Sequence, residues 1–353
     1  EQGSASRFVS VAQQVEQMKT PRLLAHLARI RKVNPQVNAV TQVFAEEARA
    51  EARDLDRRLA SGEQPGILAG VPVTVKENID VTGHPTTHGI PALREAVPPL
   101  DAPLVARLRA AGAVPVGHTN LPDLSLRFHT ASQLYGATLN PWAREATPGG
   151  SSGGEGVALA TGMSCLGLGN DAGGSLRLPA LFGGVAALKP GYGRFPSDRS
   201  VGPRDATLAS QLVPVDGVLA RSVADLHLAF QVLAGPDPRD PRAAPAPLWG
   251  APPGKPVRVA VITSPGGQAV HPQVAEALAA AVEALRAGGY RTETTDLPAL
   301  AEAVEAYGHM VMTEFHQNRP LLERLLGEEG RRYVELAMAL REPVGLAAYL
   351  ALT

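Results

Sequence analysis

Two serines, one lysine and a dense run of glycines carry the chemistry this sequence is equipped to do. Thr147 to Gly193 hold 14 of the chain's 36 glycines. Glycines gather where backbone must approach backbone or ligand, or must adopt positive φ. Ser151 lies inside GGSSGG and Ser175 inside DAGGSLR, at the head of the helix-forming run SLRLPALFGG. The amides of Gly173, Gly174 and Ser175 therefore fall at a helix N-terminus, where N–H groups have no intrahelical partner and can hold an oxyanion or a phosphate. Main-chain donors beside a hydroxyl suit acyl transfer, provided a base is at hand.

Lysine is the candidate base. Of 33 basic residues only five are lysine, at positions 19, 32, 76, 189 and 255. A biased genome composition accounts for the preference for arginine, but not for which positions are spared. Lysine can give up its proton where arginine cannot. Lys76 ends the run LAGVPVTVKENIDVTG, in which Val71, Val73 and Val75 alternate as a strand does. Sites in α/β proteins lie at strand ends, although a solvent-exposed lysine after an edge strand would read the same way. None of the nine histidines has a comparable setting: His309 and His316 share one helical segment, and His227 fits a helix face beside Asp225.

Three chemistries compete for the glycine-rich stretch. GLGNDA fits the loose dinucleotide pattern, but Asp198 lies in the loop FPSDRS, not at the end of a second strand. GGSSG fits the nucleophile-elbow pattern of Ser-His-Asp hydrolases, but REATPGG before it is a turn where a strand is needed. The third is acyl transfer with Ser175 as nucleophile and Lys76 as base, the lysine being neutral because burial penalises its ammonium form.

The elements that must position these residues follow a βαβ manner. Helices are predicted over Val9–Met18, Pro21–Lys32 and Gln42–Ser61, the last with a salt-laced solvent face. After the Lys76 strand come a turn-rich loop, HPTTHGIPAL, a helix over Ala102–Ala111 and a strand over Val114–Gly117. GGEGVALATGM forms a helix, LGLGND a short buried strand, and a second helix opens at Ser175. Further helices are predicted over Arg221–Ala234, His271–Gly288, Ala299–Gly327 and Glu329–Arg341, with strands in VRVAVI and YRTETTDL. Met310, Met312 and Phe315 read as core. A proline-rich connector, PDPRDPRAAPAPLWGAPPGKP, separates the two halves.

Composition limits the partners. With 353 residues, 44% of them hydrophobic, the chain can bury a large core. A net charge of −1 with mixed signs offers no basic face for nucleic acid. One cysteine, Cys165, excludes a disulfide framework and a cysteine-based metal site, and no uncharged stretch reaches the length of a membrane helix. The expectation is a soluble, cytoplasmic protein with no membrane partner.

The ordered blocks GVPVTVKENIDVTGHPTTHG, GHTNLPDLS, NPWAREATPGGSSGGEG, LGLGNDAGGSLRLPA, LKPGYGRFPS and GVLARSVADL resemble the amidase signature family. The resemblance spans roughly Val71 to Leu226. It implies an α/β fold with a central mixed β-sheet flanked by helices on both sides, in one domain over 1–353. That domain would comprise N-terminal helices over 8–61, the signature core over about 71–226 and a covering region over 255–353. It implies a Ser-cisSer-Lys triad of Ser175, Ser151 and Lys76, with Ser151 joined to Gly150 by a cis peptide. The oxyanion-hole amides fall on Ala172, Gly173, Gly174 and Ser175, with Ser125 on the substrate side. Ser152, Asp171 and Arg177 match positions that hold the loop and serines in place.

The function so implied is hydrolysis of an amide, urea, carbamate or anilide C–N bond through an acyl-enzyme, with no metal and no organic cofactor. The partner is a small-molecule amide, and a homodimer is compatible with the reading. A glutaminase-type subunit of an aminoacyl-tRNA amidotransferase is the alternative; Glu155 after GGSSGG resembles the stand-alone hydrolases, since those subunits tend to carry a small residue there. Two features depart from the family pattern: His118 replaces the basic residue of GKTN, and Gly191 with Tyr192 replaces Pro-Thr, changes expected to alter pocket shape. Family members commonly run well past 353 residues, so the usual C-terminal part, with further strands and a pocket wall, is expected to be lacking here.

Overall fold

The alternation at Val71, Val73 and Val75 becomes the centre of the molecule's main sheet. The computed structural model describes residues 20–201, 207–250 and 257–352; the helix expected over Val9–Met18 lies outside them. By contact clustering these form two units, one of residues 20–248 and 319–336 and the other of 249–318 and 337–352.

In the first unit, α1 (Thr20–Val37) leads into β1 (Val40–Val43), α2 (Ala45–Ala60) and β2 (Pro72–Lys76). After β2 follow α3 (Pro103–Ala110), β3 (Val114–Thr119) and a small β4 (Ala131–Ser132), β5 (Gly136–Ala137) hairpin. The glycine-rich stretch forms α4 (Gly153–Ala160), β6 (Leu166–Asp171), α5 (Arg177–Gly183) and β7 (Ala186–Leu188). Then come α6 (Leu208–Leu212), β8 (Val215–Ala220) and α7 (Val223–Leu233).

Six strands make one mixed sheet in the order β1-β3-β2-β6-β8-β7. β2 is parallel to both β3 and β6, while β1, β8 and β7 pair antiparallel with their neighbours. Every residue of β2, β3, β6 and β8 is buried, because helices cover both faces. Val71, Val73 and Val75 pack with Leu104, Leu108, Leu166 and Leu168 in the largest core cluster, and burial of each such side chain is worth roughly 1.5–3 kcal/mol. Leu23, Leu27 and Ile30 of α1 join Val114, Val116 and Val157 in a second cluster.

The helix predicted to end at Lys32 runs on to Val37 and the strand predicted to end at Gly117 runs on to Thr119, and two further boundaries differ for a visible reason. The helix predicted from Gln42 starts at Ala45, because Val40–Val43 pairs with β3 instead. The helix predicted to open at Ser175 starts at Arg177, because Asp171 captures the amides of Gly174 and Leu176 before the first turn.

In the second unit β9 (Arg258–Val261) pairs in parallel with β10 (Arg291–Thr294), connected by α8 (Pro272–Ala287). The long helix α9 (Leu300–Leu325) begins here and ends in the first unit, which also takes most of α10 (Glu328–Met338). Within the second unit Tyr349, on α11 (Leu346–Leu350), donates its hydroxyl to Glu314 at 2.5 Å, and Val344 N donates to Thr313 Oγ1 at 3.1 Å. Of the three residues expected in a core, Met310 is buried and Met312 and Phe315 are half-buried. No described helix is long and apolar enough to cross a membrane.

Candidate active site

Lys76 is the last residue of β2 and is fully buried. Its Nζ lies 2.6 Å from Ser151 Oγ and donates to Asn170 Oδ1 at 2.7 Å. Both partners are neutral oxygens, and among the described residues no carboxylate touches the amine. Burial, reinforced by the charge of Arg199, brings Lys76 down to about 7, against weaker opposing pulls from Asp216, Asp171 and Glu155. Near neutral pH the amine can therefore shed its proton. One N–H then stays on Asn170, leaving the lone pair free for the Ser151 hydroxyl.

Asn170 is held in that orientation. Its Nδ2 donates to Asn78 Oδ1 at 2.8 Å, and Asn78 Nδ2 donates to Ser125 Oγ at 3.2 Å. Ser125, in the left-handed region with φ 63° like Leu124 at 51°, is thus linked through two amides to Lys76. Asn78 and Asn170 were not singled out from the sequence. The signal lay in their positions, two residues after Lys76 and next to Asp171.

The segment bearing Ser151 is threaded through a tight passage. The Gly150–Ser151 peptide is cis, as expected, and a Cβ on Gly150 would come within 2.7 Å of the Arg127 carbonyl oxygen. Ser152 N donates to the Ser175 carbonyl at 3.2 Å, which ties the Ser175 turn to the residue after Ser151. Ser152 Oγ lies 3.5 Å from the Asn170 carbonyl oxygen. Ser151 and Ser175 are both buried.

Asp171 shapes the Ser175 turn. Its carboxylate accepts from Gly174 N at 2.7 Å, Leu176 N at 3.0 Å, and Arg177 Nε and Nη2 at 3.0 and 2.8 Å. Burial alone would raise its pKa, but Arg177 and the two amides overcome that and bring it to about 2. One expectation is corrected by this: the Gly174 amide belongs to Asp171, so it is not free for an oxyanion. The amides of Ala172, Gly173 and Ser175 make no hydrogen bond among the described residues, leaving three donors where four were expected.

Two more carboxyls lie close by. Glu77 follows Lys76 and accepts from Gln42 Nε2, Thr87 Oγ1 and Tyr135 OH, each at 2.7 Å, and from Thr41. Burial raises its pKa against those four donors. Glu155 on α4 is fully buried and bonded to Thr74 Oγ1 at 2.5 Å and Thr119 Oγ1 at 2.7 Å. Burial lifts its pKa to about 8.

His118 takes no part in this arrangement. It is fully buried and lies edge-on to Phe44 at 5.1 Å, with burial lowering its pKa to about 3. Tyr192 is exposed and donates its hydroxyl to the Gln211 carbonyl at 2.7 Å. Among the described residues no group of three or more His, Cys, Asp or Glu side chains is placed to hold a metal ion.

The site thus holds a buried amine with neutral partners, two buried serines, and amides without partners among the described residues. A sequence model of the amidase family matches residues 22–342, and the chain belongs to that family, the amidase signature enzymes. It is 44% identical over 274 residues to the indoleacetamide hydrolase of Bradyrhizobium diazoefficiens, an alignment covering 78% of this chain and 52% of that protein. It is 39% identical over 299 residues to a glutamyl-tRNA(Gln) amidotransferase subunit of a Synechococcus species, covering 83% of this chain and 60% of that one. Among solved structures it is similar to a bacterial aryl acylamidase, with a TM-score of 0.82 and 25% identity over 99% of this chain and 75% of the other. The chain thus spans about half to three-fifths of the length of these two curated relatives.

Proposed function

We propose that this chain is a serine amidohydrolase that cleaves the C–N bond of a small-molecule amide through an acyl-enzyme on Ser175. The observation that carries the reading is the full burial of Lys76 with Ser151 Oγ and Asn170 Oδ1 as its contacts. A lysine placed for its charge would be given a carboxylate or solvent; this one is placed to be neutral.

The reaction follows from the arrangement. Ser175 Oγ attacks the amide carbon and passes its proton to Ser151 Oγ, which gives its own to the lone pair of Lys76 Nζ. The oxyanion rests on the amides of Ala172, Gly173 and Ser175. The C–N bond then breaks as the proton returns through Ser151 to the departing nitrogen, leaving an ester on Ser175. Water, losing a proton along the same relay, cleaves that ester to the free acid. The similarity to indoleacetamide hydrolase and aryl acylamidase favours primary arylacetamides and anilides as substrates.

A second reading shares the chemistry. The similarity to the glutamyl-tRNA(Gln) amidotransferase chain supports a glutaminase-type subunit that works with partner chains, whereas turnover by the isolated chain supports the hydrolase. The test of the site is labelling with a fluorophosphonate followed by peptide mass spectrometry. The adduct is expected on Ser175, and Lys76→Arg, which keeps the charge and cannot deprotonate, should abolish it. An adduct elsewhere, or labelling of the arginine variant at the parental rate, overturns the proposal.

A further inference from the structure

The turn that carries Ser125 touches the site from two sides. Ser125 Oγ accepts from Asn78, which leads through Asn170 to Lys76. Two residues on, the Arg127 carbonyl oxygen bounds the passage of Gly150, the residue before Ser151, where a Cβ would come within 2.7 Å. A shift of this turn would therefore disturb the partners of the amine and the relay serine together.

The turn does not hold its shape unaided. Leu124 and Ser125 both lie in the left-handed region, a conformation that side chains resist and that persists only where the surroundings over-determine it. Leu124 N donates to the His88 carbonyl at 3.0 Å, and Ser125 N to that of Pro122 at 2.8 Å. Further hold comes from about 200 residues along the chain, where α9 meets α10.

Asp123, which opens the turn and is buried, accepts from Gln133 N on Oδ1 at 2.7 Å and from Gly327 N on Oδ2 at 3.3 Å. Gly327 lies between α9 and α10, and Gly330 three residues on. A Cβ at these two positions would stand 3.4 and 3.3 Å from the same Oδ2, so the carboxylate occupies a crook that two glycines leave open. Beside it Gln133 Nε2 donates to the Leu325 carbonyl at 3.4 Å, and Arg127 pairs with Glu329. That ion pair is open to solvent at Glu329 and holds little by itself. The buried carboxylate is different, because it bonds the segment of the turn at Gln133 and the helix corner at Gly327 at once.

We propose that Asp123 is a positioning residue: it seats the α9–α10 corner on the Leu124–Ser125 turn, and so fixes both the Asn78 contact of Ser125 and the passage through which Gly150 carries Ser151. The inference rests on the Ser175-Ser151-Lys76 reading above.

The experiment is the rate of Ser175 labelling by a fluorophosphonate across pH in the parent, Asp123→Asn and Gly330→Ala, expressed per folded molecule with folded fractions taken from urea melts. Asparagine offers one oxygen where the carboxylate offers two, so either Gln133 or Gly327 loses its acceptor. A displacement of roughly half an ångström, at about a hundredfold per ångström, should lower the alkaline plateau about tenfold. The acid-side midpoint should stay in place, since Asp123 makes no contact with Lys76. Gly330→Ala favours the helix α10 but sets a methyl 3.3 Å from Asp123 Oδ2 and 3.2 Å from Leu326. A shift of roughly a quarter of an ångström there should slow labelling about threefold, which serves if the asparagine variant does not fold. A merely structural aspartate would move the melts and leave the rate per folded molecule alone. A parental plateau in Asp123→Asn, or in Gly330→Ala where only that variant folds, overturns this inference alone, as does a loss that comes from a raised midpoint with the plateau kept. A parent unlabelled at Ser175 overturns the base assignment and this inference with it.

Discussion

Replacing Lys76 by methionine tests the neutral-lysine argument through stability, independently of turnover. The side chain is fully buried and its pKa is brought from 10.5 to about 7, so between those values the unfolded chain binds a proton that the folded one does not. Stability therefore rises with pH across that window, and the lysine costs most below it. The cost is about 4 kcal/mol at pH 7 and about 2 kcal/mol at pH 9, and it is almost gone near pH 10.5. Methionine removes this cost but leaves Ser151 Oγ and Asn170 Oδ1 each without a partner, at about 1–3 kcal/mol apiece. At pH 7 the two contributions nearly cancel, so the variant should unfold within about 2 kcal/mol of the parent while losing all labelling at Ser175. The pH dependence is sharper than the absolute value, because most other titrations are common to both proteins. Urea unfolding at pH 7 and at pH 9.5 should show the variant losing more than about 2 kcal/mol relative to the parent as pH rises, the lysine's linkage over that interval. A loss of about 3–5 kcal/mol at pH 7, as when one partner of a buried ion pair is removed, would refute the reasoning. So would a difference between the proteins that ignores pH.

Two further outcomes bear on the relay and on the turn. Ser151→Ala should lower kcat on the order of 10²–10⁴-fold, the usual contribution of a positioned proton carrier, and steady-state turnover of a primary amide equal to the parent's would remove Ser151 from the relay. Asp171, held near pKa 2 against an ordinary 3.8, contributes about 2 kcal/mol that is fully present above pH 3.8 and lost as pH falls through 2. Asp171→Asn should accordingly destabilise the protein at pH 7 and converge with it near pH 2, and denaturant midpoints that stay equally far apart at both pH values would contradict that linkage.

What was legible in the sequence was legible for local reasons. Val71, Val73 and Val75 alternate because β2 is a strand, and the strand ends at Lys76 because the backbone must leave the sheet there. Ser175 could be placed in a turn of unpaired main-chain amides because two glycines precede a helix-forming run. Gln42 was misread because a short strand beside a strong helix former looks like more helix; its pairing with β3 and the reach of its side chain to Glu77 are long-range facts. The Asn170–Asn78 pair escaped for the same reason, since it joins residues 92 apart in sequence. The Gly174 amide was counted among the oxyanion donors because spacing alone does not say which N–H a neighbouring carboxylate will take.

The glycine run itself divides once the structure is known. Gly149 and Gly174 adopt φ of 79° and 123°, conformations a larger residue would resist, and these flank Ser151 and Ser175. Others are close approaches of a different kind: a Cβ on Gly154 would strike the Asn120 backbone at 2.5 Å, one on Gly156 the Pro179 carbonyl at 2.8 Å, and one on Gly169 Ser152 Oγ at 2.8 Å. Gly167 belongs with these, and what it makes room for is the Glu155 carboxyl. The density that first marked the stretch as a ligand site thus has two sources: turns that present the serines, and a sheet whose face is pared down so that α4 can set Glu155 against Thr74 and Thr119. The second needs a helix lying directly on the strand, which only glycine at 167 permits. Glycine is thus required at 149 and 174 for its backbone conformation and at 154, 156, 167 and 169 for its size, so a substitution in the first set strains a turn and one in the second forces α4 off the sheet.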